Sequence, residues 1–171
     1  MNTDVLKYVK QHADRLNGRV LEVGSLNVNG SVREVLKVDI GIDMRPGNGV
    51  DRVMLAEDLP EHFGAEFDSM VSCDMLEHCE NWRGAIRGMW HVLKPGGWML
   101  VTMANMRKGR HNYPSDYWRC EPETLEKIFP GCVDMVTQSV SINWMIQKNG
   151  ELPDLDKFEM LEVDKVSKWN R

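Results

Sequence analysis

Three acids and a glycine-bearing turn stand at spacings that could hold a nucleoside. Glu22-Val23-Gly24-Ser25 closes a short apolar run and leads through Asn27 to Asn29-Gly30-Ser31. Glycines in such a turn let the backbone approach a ligand, and the amides opening the next helix offer unpaired N–H groups to a negative group. Asp43 ends the next apolar run about 20 positions later, where an acid can take both hydroxyls of a ribose. Asp58 follows a third run, where a carboxylate can accept from an exocyclic amino group such as that of adenine. Each also suits a plainer role: Asn29-Gly30 a left-handed turn, Asp43 a strand-end cap before Pro46-Gly47, Asp58 a turn before Leu59-Pro60.

Taken together the three acids favour a nucleoside over a dinucleotide. The GxGxxG pattern that a pyrophosphate needs is missing, because Leu26 and Val28 occupy its glycine positions. Glu22 on the lip of the loop would repel phosphates but suits an amino group and a sulfonium. S-adenosylmethionine has both, with a carboxylate for the loop amides and a ribose for Asp43.

These residues need elements to position them. Val5, Val9 and Leu16 predict a helix over 4–16, stopped at Gly18. Strands are predicted over 19–24, 38–43, 50–55, 67–73 and 98–103 from short apolar, β-branched runs. Ser31-Val32-Arg33-Glu34 matches a capping box and opens a short helix to about Leu36. Trp82, Ala85, Ile86, Met89 and Leu93 form one stripe of a helix over 82–93, which Lys94-Pro95-Gly96-Gly97 breaks. A loop runs from Ala104 to Glu121, a short helix covers 122–129, and residues 133–140 and 144–147 form a closing strand pair. The stretch after Gly150 is polar, a helix or a loose tail. Strands alternating with helices imply a doubly wound, mostly parallel α/β sheet, which binds ligands at the carboxyl ends of its strands.

Val20-Leu21-Glu22-Val23-Gly24-Ser25, Ile40-Gly41-Ile42-Asp43, the run from Phe67 through Asp74-Met75-Leu76-Glu77-His78, and Val92-Leu93-Lys94-Pro95-Gly96-Gly97 follow in that order. In this the chain resembles the class I S-adenosylmethionine-dependent methyltransferases, and within them the small "methyltransferase type 11" group, over roughly residues 18–147. The resemblance implies a Rossmann-like, seven-stranded, mostly parallel sheet with an antiparallel terminal strand, in one domain over 1–171 with a helix at 4–16 and a tail at 150–171. It implies that Glu22 and Gly24 frame the methionine portion of S-adenosylmethionine, that Asp43 holds the ribose, that Asp58 and the Leu59 backbone flank the adenine, and that Ser25, Asn29 and Met44 also bind the cofactor. Cys73 and Asp74 would line the cofactor near the methyl group, with His78 nearby, and S-adenosylhomocysteine would be the product. Lys94-Pro95-Gly96-Gly97 is then a turn before a strand and no phosphate loop.

Methyl transfer from a sulfonium needs alignment and exclusion of water more than covalent help, and a base only where the acceptor must lose a proton. The segment from Arg107 to Arg119 follows the fifth strand and overhangs the ligand edge. Related methyltransferases carry a similar His-x-Tyr-Pro-x-Asp-Tyr-Trp-Arg segment there. His111 is the first candidate base and Asp116 the second. Alternatively Tyr113, Tyr117 and Trp118 pack as a lid while Asp116 and Arg119 pair or cap the next helix. Arg107, Lys108 and Arg110 are a solvated run or a grip on an acidic substrate.

Composition bounds the rest. With 21 Lys+Arg against 26 Asp+Glu the net charge is -5, which disfavours a dedicated nucleic-acid binder. The Asn/Asp-Pro-Pro-aromatic run of an amino-methylating DNA enzyme is missing as well. The four cysteines form no CxxC pair, consistent with free thiols in a cytoplasm, and Cys73, His78 and Cys79 match no zinc spacing, so no metal is expected. No stretch approaches the roughly 20 apolar residues of a membrane span, and Met1-Asn2-Thr3-Asp4 lacks a signal-peptide pattern. The expected function is a methyltransferase acting on a small-molecule or sugar-like acceptor, anionic or neutral, as a monomer or homodimer. The alternative is a non-catalytic module that keeps the fold and the cofactor pocket, suggested by Leu26 and Val28 in the glycine loop.

Overall fold

A computed structural model describes residues 3–111, 115–129 and 131–166. Tyr113 of the expected lid lies outside the described residues, as does the end of the tail. Seven strands form one sheet: β1 (Val20–Val23), β2 (Ile40–Asp43), β3 (Arg52–Val53), β4 (Phe67–Cys73), β5 (Leu93–Ala104), β7 (Cys132–Thr137) and β8 (Ser141–Gln147). Their order is β3-β2-β1-β4-β5-β8-β7. The first five are parallel, and β8 runs antiparallel to both β5 and β7. This is the class I methyltransferase sheet. The chain winds outward from β1 through β2 to β3, then returns to the far side of β1 with β4. The strand order therefore reverses between β1 and β4, and a ligand crevice opens there.

Strand alternation divides the core in two, because successive side chains point to opposite faces. Met70, Met99, Val101, Trp144 and Ile146 face one cluster with Trp82, Ile86 and Met89 of α3 (Trp82–Val92). Val71, Leu100 and Met145, one residue along each strand, face the other with Tyr8 and Val9 of α1 (Thr3–His12). Asn81 caps α3, its side chain accepting from the Gly84 N–H at 3.0 Å.

Several boundaries differ from the sequence expectation. The first helix ends at His12 instead of continuing to 16, although Leu16 is still buried in the second cluster. The element after the glycine loop is a single 3₁₀ turn, Val32–Glu34, with the capping box formed. The third strand has two residues instead of six, both exposed on the sheet edge. The strand expected from Trp98 begins at Leu93, so Lys94-Pro95-Gly96-Gly97 lies inside β5. The extra residues are taken up as a register shift, with Phe67 opposite Leu93 but Ser69 opposite Trp98.

As far as residue 166, the polar tail is a strap across the body. β6 (Trp118–Arg119) pairs antiparallel with β9 (Leu161–Glu162), and one helical turn, Val163–Val166, follows directly. Arg83 of α3 donates to the Leu155 carbonyl at 3.1 Å, and Arg110 pairs with Asp164. The tail thereby fastens the segment after β5 to the body. No helix among the described residues is long and apolar enough to cross a membrane.

Candidate active site

A cavity of about 720 Å³ opens at the carboxyl ends of β1, β2 and β4. Its size falls within the range of small-molecule sites. Among the residues expected at a site, Glu22, Gly24, Ser25, Asn29, Asp43, Met44, Cys73, Asp74, His78 and His111 all line it. Asp58, Leu59 and Asp116 do not. The chain after β3 enters a 3₁₀ turn at Ala56–Asp58 and then α2 (Leu59–His62), which sinks Leu59 fully into the core. The wall there is made by Leu55, Ala56 and Glu57.

The end of the cavity near β1 and β2 is shaped by backbone. Gly24 has φ +83°, and a Cβ on it would stand 2.8 Å from the Met75 side chain. The Gly24 and Ser25 N–H groups both donate to the Ile42 carbonyl at 2.9 Å, tying the loop to β2. Asp43 is fixed by two backbone donors, Leu26 N–H at 3.3 Å to Oδ2 and Arg45 N–H at 3.0 Å to Oδ1. Glu22 is 6% exposed. Burial pushes its carboxyl up to about 7, against the partial relief of Arg33, whose Nε lies 3.5 Å from Oε2. That contact is an ion pair without a hydrogen bond, so Oε2 stays unsatisfied, as does the buried Ser25 Oγ. A cationic amino group seated here would complete Glu22, so the residues present fit S-adenosylmethionine. Arg33 was missed because its partners Glu22 and Asp51 are 11 and 18 positions away.

The end near β4 and β5 is shaped by side chains. Asp74 adopts φ +50°, a conformation that costs a residue with a Cβ on the order of 1–3 kcal/mol and clusters at functional sites. Thr102 holds it there: Asp74 N–H donates to the Thr102 carbonyl at 3.0 Å, and Thr102 Oγ1 donates to Asp74 Oδ1 at 3.0 Å. Burial pushes the Cys73 thiol well up, so it is a packing group and no thiolate. His78 and His111 meet edge to face, Nε2 to Nε2 at 3.1 Å. Burial lowers both imidazoles below their ordinary range, which keeps them neutral near pH 7.

Asp116 sits behind His111 and away from the cavity. Its Oδ2 accepts from the His111 N–H at 3.0 Å and lies 2.9 Å from His111 Nδ1, at an angle too bent for a hydrogen bond. Arg119 clamps the same carboxylate with two donors at 2.6 and 2.7 Å, both side chains fully buried. Burial alone would raise the Asp116 carboxyl, but the Arg119 hydrogen bond holds it below the usual range. Asp116 is thus a support for His111, and the pairing with Arg119 was one of the two arrangements open in the sequence. Of the basic run, Lys108 lines the cavity, while Arg110 is engaged by Asp164.

A family model described as a methyltransferase domain matches residues 17–101. A ubiquinone biosynthesis O-methyltransferase of Chromobacterium violaceum is 27% identical over 116 residues, covering 58% of this chain and 50% of the relative. One from Xylella fastidiosa is 30% identical over 121 residues, 61% of this chain and 49% of the relative. The chain therefore spans about half the length of these relatives. The solved Burkholderia thailandensis 1,6-didemethyltoxoflavin-N1-methyltransferase, with 1,6-didemethyltoxoflavin and S-adenosylhomocysteine bound, superposes with a TM-score of 0.67 at 12% identity over 86% of this chain and 78% of its own. The [4+2]-cyclase SpnF superposes with a TM-score of 0.64 at 18% identity over 85% and 81%. Such distant neighbours establish the fold, and the cyclase shows that the fold alone does not set the reaction. With the family match added to this strand order and motif order, residues 17–101 belong to the methyltransferase-domain family and the chain has the class I methyltransferase fold.

Proposed function

We propose that the chain moves a methyl group from S-adenosylmethionine to a hydroxyl of a small organic acceptor. The observation that carries this reading is one cavity in which Glu22, Gly24 and Asp43 gather at the β1–β2 end while His78, His111 and Lys108 gather at the β4–β5 end. S-adenosylmethionine, when bound, supplies an electrophilic methyl on a sulfonium. Glu22 would take its amino group, and Asp43, held by two backbone amides, would take the ribose hydroxyls. Leu55 and Met44, both exposed at the rim, offer apolar surface to the base.

Across the cavity, the chain's task is to present an acceptor oxygen in line with the methyl and to handle its proton. His78 and His111 offer basic nitrogens there, and Lys108 offers a charge to an anionic acceptor. The hydroxyl, rather than an amine, is chosen because the matched relatives are named as O-methyltransferases. Incubating the protein with methyl-labelled S-adenosylmethionine and a panel of phenols, catechols and sugar alcohols tests this. Labelled ether product from at least one hydroxyl acceptor is expected, and label appearing on amines or thiols alone would overturn it.

A second reading is a binding module that keeps the pocket without turnover. Val28, two-thirds exposed in the glycine loop, is the observation that favours it. Saturable S-adenosylhomocysteine binding with no transfer to any component of a cell extract would select that reading.

A further inference from the structure

The His78–His111 pair carries a consequence of its own. His78 Nδ1 lies 2.8 Å from the Ser115 carbonyl, a hydrogen bond that requires this nitrogen to carry the proton and leaves Nε2 a lone pair. His111 Nδ1 lies 2.9 Å from Asp116 Oδ2 in a charge contact that does not fix its tautomer. The two Nε2 atoms face each other at 3.1 Å, joined by a hydrogen bond when His111 carries its proton there and free as two metal donors when it carries it at Nδ1. A third donor stands by. Glu77 is fully buried, its Oε1 accepts from the Ala104 N–H at 3.1 Å, and its Oε2 has no partner. One ligand atom from each of Glu77, His78 and His111 lies within 4.8 Å of the others.

We infer that Glu77, His78 and His111 form a site for a divalent transition-metal ion of the zinc type, with an open coordination position on the cavity side. Two nitrogens bound at 2.0–2.1 Å stand about 2.9–3.4 Å apart at octahedral or tetrahedral angles, and the observed separation falls within that span. Two imidazoles and one carboxylate are a common donor set where the ion keeps a position for water or substrate. The Asp116 carboxylate and the Ser115 carbonyl behind the rings match the outer groups that orient metal-bound histidines. Asp74 adds negative charge beside the site, while Lys108 and Arg119 are cations that oppose it. Sequence spacing did not show the set, because His111 is 33 positions from His78. The site stands on this geometry alone. Its use rests on the proposed methyl transfer: an acceptor hydroxyl at the open position would lose its proton more readily, and the imidazoles would act as ligands in place of a base.

Titrating the tag-free, metal-stripped protein with Co²⁺, read by visible d–d absorption and calorimetry, tests the site. One saturable equivalent per chain is expected, displaced by Zn²⁺. His111→Ala should weaken binding by at least about 10-fold, and Asp116→Asn by about 10-fold through the outer sphere. S-adenosylhomocysteine affinity, measured on the same samples, reports folding and the cofactor reading separately. Absence of saturable Co²⁺ binding in protein that still binds S-adenosylhomocysteine overturns the metal site, as does an affinity unchanged in His111→Ala. Co²⁺ binding without S-adenosylhomocysteine binding would uphold the site and overturn the methyltransferase reading instead.

Discussion

The two ends of the cavity are built by different means. At the β1–β2 end the work is done by contiguous turns and backbone amides: Gly24 at positive φ, and Asp43 held by the N–H groups of Leu26 and Arg45. At the β4–β5 end it is done by side chains drawn from far apart: His78 after β4, His111 and Asp116 beyond β5, Arg119 on β6, all fastened by the tail strand β9. Local construction gives a site whose shape follows from a few residues in a row. Construction from afar gives one that depends on a buried charge network, and such networks fail as a unit when one partner is lost.

That contrast can be broken most severely at Arg119. Replacing it with Met leaves Asp116 buried and unpaired and frees the carbonyls of Lys108 and Gly109. A stability loss of about 3–5 kcal/mol is expected in urea unfolding. In protein that remains folded, the β4–β5 end should lose its order in hydrogen exchange while S-adenosylhomocysteine binding persists. Equal loss at both ends would show that the ends are not separately built.

A smaller effect tests the β1–β2 end. Glu22 binds its proton more tightly in the folded chain than in the unfolded one, so its contribution to stability is present below pH 4.5 and lost as pH rises through about 7. Ligand binding has the opposite sign, because an ammonium beside Glu22 favours the ionised form. S-adenosylhomocysteine affinity should therefore fall about 30-fold from pH 8 to pH 5.5, and Glu22→Gln should flatten the profile. The smallest effect is at Ser31, whose Oγ accepts from the Arg33 N–H at 3.2 Å. Ser31→Ala should cost about 1 kcal/mol, read as a shift of the denaturation midpoint without change in the β4–β5 end.

The same contrast explains what could be read from residues in order. The strands that meet at the switch point, the capping box, Asp43 and the Asp74 to His78 run are local patterns, and Asp43, Asp74 and His78 line one cavity. What escaped depended on partners distant in sequence. A two-residue pairing such as β6 with β9 carries no periodicity, and its halves are separated by more than forty positions. Asp116 read as a base because its type fits, yet Arg119 three residues on had already engaged it. Lys94-Pro95-Gly96-Gly97 read as a break because Pro and Gly punctuate most helices. Here the shifted register between β4 and β5 absorbs them within a strand. Asp58 read as a wall residue at the end of a six-residue strand, and the shortening of that strand to Arg52–Val53 moved the wall to Leu55 through Glu57.

Under the proposed function the β1–β2 end alone holds S-adenosylmethionine, through Glu22 and Asp43. Calorimetric titration of S-adenosylhomocysteine at pH 8 into wild-type protein, Asp43→Ala and His111→Ala is the sharpest test of this. One saturable site is predicted, weakened about 10–100-fold by loss of a charged hydrogen-bonding partner in Asp43→Ala and nearly unchanged in His111→Ala. No binding to the wild type, or full affinity in a folded Asp43→Ala protein, would contradict it.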